Sequence, residues 1–411
     1  MNTLLQNGIN ELQVILKLAE RCNLACSYCY YFYGGDDEYL NRPPLIAMET
    51  VSQVAKFIEQ GARDIGIPTV AVAFHGGEPL LLKPSRFDKA CEILRNEIRT
   101  PKLILTVQTN GTLLSERWVE VLAKHQVSVG VSIDGPPEFQ NVYRVDHKGR
   151  QSYDAVARGI RLAVKAKDED RLPGMGTISV LNTKFDAVTV YRHLRDELGI
   201  VQQSYLFPDI NWDTGFPDGE SARDYGRMLC SIFDEWIDND VGHVRVHQIE
   251  SIINMFRATS SIHGRIQIIV IQDTGEVAID DSYMTALQWQ KNIPKVHVSQ
   301  ITLRHHFERP IFEEIEGYLL NLASRCQRCA WRQYCNGGDL ENRFSSENGF
   351  DNESIFCEGL KVFYEHVAER LVKDGYPPRL IYDRLNDLSK TLDVRCFLET
   401  RAYPGTKIVA P

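Results

Sequence analysis

The chain has 411 residues, 43% of them hydrophobic and 25% charged, and a formal net charge of −9. That charge disfavours a nucleic-acid backbone as partner, and no apolar run approaches the roughly 18 residues of a membrane span. No secretory signal is read at the N-terminus. These bounds predict a cytoplasmic globular protein, either one large domain plus a smaller one or two to three ordinary domains, with neither nucleic acid nor membrane as partner.

Residues 12–18 are apolar and read as a strand. They run straight into Cys22, Cys26 and Cys29, spaced Cys-x3-Cys-x2-Cys, with Tyr28, Tyr30 and Tyr31 alongside. The stretch 36–44 is polar and turn-rich. Residues 48–65 show helical periodicity through Val51, Val54, Phe57 and Ile58. A β-rich run, 69–74, ends in His75-Gly76-Gly77-Glu78-Pro79. A helix is predicted over 86–98, then a strand over 103–107 ending in Gln108-Thr109-Asn110-Gly111. Ser115 suits the N-cap of a helix to about residue 125, because its hydroxyl can satisfy a free first-turn N–H. A strand over 127–133 leads to Asp134-Gly135-Pro136.

Helices over 154–167, 184–198 and 222–237 then alternate with strands over 176–180 and 202–207, which makes six strand-then-helix units. Apolar strands separated by amphipathic helices imply a parallel sheet covered by helices. The polar motifs fall at the C-terminal ends of the strands, where (β/α) barrels build their active sites. After about residue 240 the alternation stops. A helix over 247–257, a hairpin over 267–279 turning at Asp273-Thr274-Gly275, and a helix over 358–373 follow.

Seven of the ten cysteines fall in two groups, 22–29 and 326–357. In an unexported chain such groups read as metal sites rather than disulfides. Cys91, Cys230 and Cys396 stand alone and read as buried or incidental thiols. Three closely spaced thiolates can hold three irons of a cubane whose full cage takes four, which leaves one iron open. The alternatives at 22–29 are a zinc knuckle short of a ligand, or accidental thiols, and structural zinc takes four ligands. At Cys326-x2-Cys329-x5-Cys335 with Cys357, the alternative is a four-cysteine zinc site.

The Cys22–Cys26–Tyr28–Cys29 loop, at the end of the first strand, resembles that of the radical S-adenosylmethionine (radical SAM) enzymes. The resemblance spans about 12–240 and implies an α/β fold, a partial (β/α)6 barrel of the TIM type. It implies that Cys22, Cys26 and Cys29 hold a [4Fe–4S] cluster whose open iron is chelated by the amino and carboxylate groups of SAM. Tyr28 would lie beside the adenine. One electron passed into the sulfonium breaks the C5′–S bond, and the 5′-deoxyadenosyl radical removes hydrogen from an unactivated C–H bond. The protein supplies position and water exclusion.

Gly76, Gly77 and Glu78 match the family's Gly-Gly-Glu motif. Its glycines admit a close backbone approach, and Glu78 would offer charge to the SAM ammonium. A simple strand-end turn is the alternative. Ser132 and Arg144 match positions of related peptide-modifying enzymes. There the serine contacts the ribose or carboxylate region, and the arginine pairs with the SAM carboxylate through two N–H groups. Gln108 and Asn110 are placed to reach ribose, and Val180 to pack on adenine. Each also has a plain structural reading.

The distal cysteines resemble the SPASM extension of radical SAM enzymes that modify peptides. Cys326, Cys329, Cys335 and Cys357 fill all four ligand positions of its second auxiliary cluster. Two positions of the first auxiliary cluster fall instead on Asp280 and Asp339, and no cysteine lies between 231 and 325. The resemblance therefore implies one auxiliary [4Fe–4S] cluster, which transfers electrons or holds structure. Asp281 matches an aspartate proposed as general base in sulfatase-maturing relatives. A solvated acidic pair after the hairpin is its alternative. The predicted domains are the barrel over 1–240, a SPASM-type region over 241–374 and a tail over 375–411.

The resulting expectation is an oxygen-sensitive peptide maturase that abstracts hydrogen from a side chain of a ribosomal precursor peptide. It would install an intramolecular crosslink such as a cyclophane, with a flavodoxin or ferredoxin as electron donor. The alternatives are formylglycine formation in a sulfatase, epimerisation, and a non-catalytic Fe–S or zinc scaffold. The missing cluster ligands count against formylglycine formation. A barrel that begins by about residue 12 leaves no room for an N-terminal winged-helix domain.

Overall fold

The computed structural model describes residues 8–257 and 266–386. Six parallel strands lie side by side in chain order: β1 (Glu11–Ala19), β2 (Thr69–Gly76), β3 (Lys102–Thr109), β4 (Val127–Ser132), β5 (Met175–Val180) and β6 (Gln202–Leu206). This is the parallel sheet expected from the alternation, and the partial barrel that the resemblance implies.

Its strands have two unlike faces, because successive side chains point to opposite sides. Val14, Leu16, Val70, Val72, Leu105, Val107, Val129 and Val131 are buried in the main hydrophobic core. The other set aligns strand by strand as Ile15 beside Ala73, Ala73 beside Thr106, and Thr106 beside Ser128. Small and polar side chains on the inner face leave the barrel room for a ligand. Gln108, Ser132 and Val180 share that face.

The sheet does not stop at 240. A short β7 (Arg245–Val246) pairs with β6, and β8 (Ile266–Ile271) pairs in parallel with the free edge of β1. From β8 the predicted hairpin turns into β9 (Glu276–Ala278), and β10 (Val296–His297) adds antiparallel beyond it. The order is β10-β9-β8-β1-β2-β3-β4-β5-β6-β7. Strand β1 is thus interior, and Asp281 is carried to its C-terminal end by the hairpin.

Among the helices, Met48–Ile65 buries Val51, Val54, Ala55, Ile58 and Ala62. It stops at Gly66, which adopts φ 83° and donates its N–H to the Ala62 carbonyl. Ser115 does stand at the N-cap of Glu116–Lys124, but its hydroxyl makes no capping hydrogen bond. The helix expected over 184–198 starts later, at Ala187, where Asp186 caps the Thr189 N–H, and from His193 it widens into a π turn. Helix Ala222–Asn239 packs on helix Cys357–Lys373 through two glycines. A Cβ on Gly226 would stand 2.2 Å from the Gly359 carbonyl oxygen, and one on Gly359 2.0 Å from that of Ala222. Residues 378–386 of the expected tail form the helix Pro378–Asn386. Cys396 lies outside the described residues.

Candidate active site

The strand ends converge on the cysteine loop. At the end of β2, Gly77 and Glu78 donate their N–H groups to the Ala19 and Arg21 carbonyls, at 2.7 and 2.9 Å. A Cβ on Gly77 would stand 2.3 Å from the Arg21 oxygen and 2.8 Å from the Phe32 ring, so only glycine fits there. Gly76 has φ +126°, open to glycine and strained for other residues. On the other side, Ala25 and Ser27 donate to the Val145 and Tyr143 carbonyls, at 2.7 and 3.1 Å. The loop is therefore held between the second strand end and the segment that carries Arg144.

Cys22, Cys26 and Cys29 are free and half-buried. The Leu24 N–H approaches the Cys22 sulfur at 3.4 Å, and the Asn110 amide approaches it at 3.7 Å. Burial pushes the Cys22 thiol up to about 12, with the charge of Glu78 adding to it. Burial also raises Cys26, against the pull of Arg144, and Cys29, against the N–H groups of Phe32 and Tyr31. An iron cluster bound here must displace those protons.

Glu78 is fully buried. Its carboxylate accepts from the Leu80 N–H at 2.9 Å, the Thr109 hydroxyl at 2.7 Å and the Asn110 N–H at 2.8 Å. Three of about four acceptor sites are thus taken by the chain itself, and the residue fastens the end of β2 to the end of β3. Burial raises its pKa. Asn110 reaches Asn23 of the cysteine loop at 2.9 Å. Gln108 donates to the Ser132 hydroxyl at 2.8 Å and keeps its own carbonyl oxygen buried without a partner.

Arg144 donates to the Tyr28 hydroxyl at 2.7 Å, and that hydroxyl donates to Asp134. Asp134 also accepts the Val180 N–H at 3.2 Å. One network thereby joins Tyr28, Asp134, Arg144 and Val180. Arg144 is buried and its Nε is without a partner. The unpaired Nε of Arg144 and the unpaired oxygen of Gln108 are the polar atoms that a ligand carrying both carboxylate and hydroxyl groups would satisfy. The resemblance gives Asp134 no role, although a carboxylate just past an apolar strand end is itself a signal.

Asp281 pairs with Lys17, which is 0% exposed on the inner face of β1 and sits 4.7 Å above the Tyr31 ring. A lysine inside an apolar strand was the readable sign of a buried carboxylate partner. Asp281 and Tyr31 help line a cleft of about 770 Å³ beside the cysteine loop, with Arg42, Gln272, Met284 and Lys295. Tyr31 donates to buried Glu20, and Arg42 lies 3.7 Å from that carboxylate. Asp273, at the hairpin turn, is 2% exposed with both oxygens unpaired. Burial and neighbouring Glu20 push its pKa up to about 7.

The second group of cysteines closes around its own cavity. Cys326, Cys329, Cys335 and Cys357 line one space of about 420 Å³ with Trp331, Gly337 and Tyr364. After Cys335 the chain runs through Asn336, Gly337 and Gly338, all at positive φ, and the Gly337 N–H faces the Cys335 sulfur. Burial raises Cys326 to about 11. Among the described residues no three His, Cys, Asp or Glu side chains converge tightly enough to hold one metal ion. A zinc site needs every sulfur about 2.3 Å from one point, whereas a cubane sets each thiolate on its own iron. Four thiols spread around one cavity fit the cubane better.

Comparison with known proteins gives the same reading. Residues 16–181 match the radical SAM superfamily. The chain is 28% identical over 370 residues to a serine-type anaerobic sulfatase-maturating enzyme of Bacteroides thetaiotaomicron, across 84% of this chain and 87% of that one. To a cysteine-type enzyme of Clostridium perfringens it is 26% identical over 372 residues, across 88% and 97%. The fold resembles that of native anSMEcpe with bound AdoMet and Cp18Cys peptide, with a TM-score of 0.75 at 23% identity, covering 89% of this chain and 98% of that one. The three-cysteine loop, the Gly-Gly-Glu strand end and the parallel partial barrel thus stand together in one chain that carries a radical SAM domain over residues 16–181, the domain of a superfamily whose members use a [4Fe–4S] cluster and S-adenosylmethionine.

Proposed function

We propose that this radical SAM enzyme oxidises a seryl or cysteinyl side chain of a peptide to an aldehyde, the chemistry of sulfatase maturation. The observation that carries it is the position of Asp281, on the wall of the cleft that Tyr31 connects to the cysteine loop. The likeness to serine-type and cysteine-type maturating enzymes over most of the chain supports it. It is preferred to the crosslink expected from sequence, which rested on family analogy and on the cysteines missing from 231–325.

Cys22, Cys26 and Cys29 would hold the SAM-binding cluster, and Cys326, Cys329, Cys335 and Cys357 the auxiliary one. When bound, these groups supply one-electron chemistry: hydrogen-atom abstraction by a SAM-derived radical, and a sink for one electron. Everything else belongs to the chain. Arg144, Gln108, Ser132 and Asn110 orient the cofactor's polar groups, and Gly76 and Gly77 let the end of β2 pack against the cysteine loop that would hold it. Turning a seryl CH–OH into C=O removes one hydrogen atom, one proton and one electron. Asp281 takes the proton from the seryl hydroxyl or cysteinyl thiol; from cysteine the same removal gives a thioaldehyde, which water converts to the aldehyde with release of hydrogen sulfide. Lys17 fixes the direction of the carboxylate, and its ammonium offsets the charge held inside the barrel. A one-electron reductant of the flavodoxin or ferredoxin type starts the cycle.

The test is anaerobic reconstitution of the full chain with SAM, dithionite and peptides carrying a sulfatase's maturation segment, with Ser or Cys at the modified position. Formation of 5′-deoxyadenosine together with a carbonyl trapped by hydrazine is the expected result. A product that loses two hydrogens but resists hydrazine would replace aldehyde formation with a crosslink.

A further inference from the structure

Among the described residues, a buried guanidinium has both terminal nitrogens without a hydrogen-bond partner. Arg343 ends the short 3-10 helix Leu340–Arg343 and is 1% exposed. Its Nε donates to the Asn352 carbonyl at 3.0 Å, but both terminal nitrogens are buried without a hydrogen-bond partner. A buried, unpaired charge costs several kcal/mol, so such a guanidinium persists only where something negative faces it. The ionisable groups that act on it most strongly are Cys326, then Asp351, Cys335 and Tyr283. Asp351 is exposed and not hydrogen-bonded to it, and Tyr283 is held neutral by burial. That leaves two cysteines of the distal cavity. Gly337, which follows Cys335 and lines that cavity, has space for a Cβ only 3.4 Å from Arg343 Nη1.

We propose that Arg343 is a positioning residue and the counter-charge for the iron–sulfur cluster at Cys326, Cys329, Cys335 and Cys357, and that it holds the cluster's reduction potential up. The inference rests on those four cysteines carrying a cluster. A four-thiolate cubane is an anion in both redox states and gains one more negative charge on reduction. A fixed positive charge beside it therefore stabilises the reduced state more than the oxidised one. Net charge and hydrogen bonds to sulfur are the terms that set such potentials. The four unpaired N–H groups supply both. Arginine suits the place because it stays protonated where a buried lysine releases its proton more readily.

The experiment is an EPR-monitored potentiometric titration of the reconstituted holoenzyme, together with iron and sulfide analysis. The auxiliary signal is the one that added SAM leaves unchanged. Arg343→Met is expected to load both clusters and to shift the auxiliary reduction equilibrium at least tenfold toward the oxidised state, about 59 mV for one electron. Arg343→Lys should recover most of that shift. An Arg343→Met chain that fails to load iron is replaced by Arg343→Gln, which removes the charge and keeps a polar group. Two clusters loaded with an unmoved potential overturn the inference while leaving the cluster in place. Parent protein with iron for a single cluster overturns the cluster reading itself.

Discussion

Asp281 and Asp273 both lie near the hairpin turn, and their surroundings give them different work. Asp281 has the Lys17 ammonium. Replacing it by Asn keeps an acceptor for Lys17 and removes the base. Asp281→Asn is expected to lower aldehyde formation about 10²- to 10⁴-fold, with 5′-deoxyadenosine still produced, as product analysis of both compounds will show. Asp273 has no such cation in hydrogen-bond contact. Its folded-state pKa rises from 3.8 to about 7, through burial first and then Glu20, against Arg42, Arg21 and the Thr274 N–H. Between those values the folded chain keeps a proton that the unfolded chain has lost. Stability therefore falls from this group as pH rises from about 4 to about 7. Asp273→Asn should melt higher than the parent at about pH 8 and equally near pH 4, measured by calorimetry under nitrogen.

Elements meet at glycines where the two metal sites are built. Gly77 allows β2's end to touch the cysteine loop, and Gly359 allows helix Cys357–Lys373 to touch helix Ala222–Asn239. Cys357 is the first residue of that helix and a wall of the distal cavity. Gly359→Ala puts a methyl 2.0 Å from a backbone oxygen, and neither helix backbone can yield that much without sliding. The expected outcome is loss of the distal iron with the SAM-sensitive EPR signal retained. Gly77→Ala should do the reverse, abolishing that signal and leaving the distal iron. Iron analysis with EPR reads both.

Across the whole molecule the two sites rest on different supports. The cysteine loop hangs from an interior strand of a ten-stranded sheet, with paired neighbours on both sides. The distal cysteines sit on short helices, Ser324–Gln327 and Arg332–Cys335, and on the start of Cys357–Lys373. Helices of one turn gain little by themselves, so the bound cluster must contribute much of the order there. Removing iron by mild oxidation and chelation is expected to raise amide exchange over 322–360 and to lower the first melting transition. Exchange in β2 to β5 should stay as in the loaded protein. Hydrogen-exchange mass spectrometry distinguishes the two regions.

Local pattern was enough for much of this. Cysteine spacing, the apolar strands with polar ends and the six-fold alternation are short-range features, and the barrel and both cysteine groups followed from them. The assembly of Tyr28, Asp134, Arg144 and Val180 into one network, and the attachment of Glu78 to β3, needed the strand order. Strands β7 and β10 have two residues each, too few for a period to register, and although β8 was legible as one arm of the hairpin, its parallel pairing with β1 joins segments about 250 residues apart in sequence and could not be read. Lys17 and Arg343 were visible as charges. Only the tertiary structure could say that one meets a carboxylate and that the other is buried beside Gly337 of the distal cavity, because a buried charge is defined by partners distant in sequence. The three-cysteine loop named the chemistry, and the packing around β1 decided where the Lys17–Asp281 pair and the cleft stand relative to it.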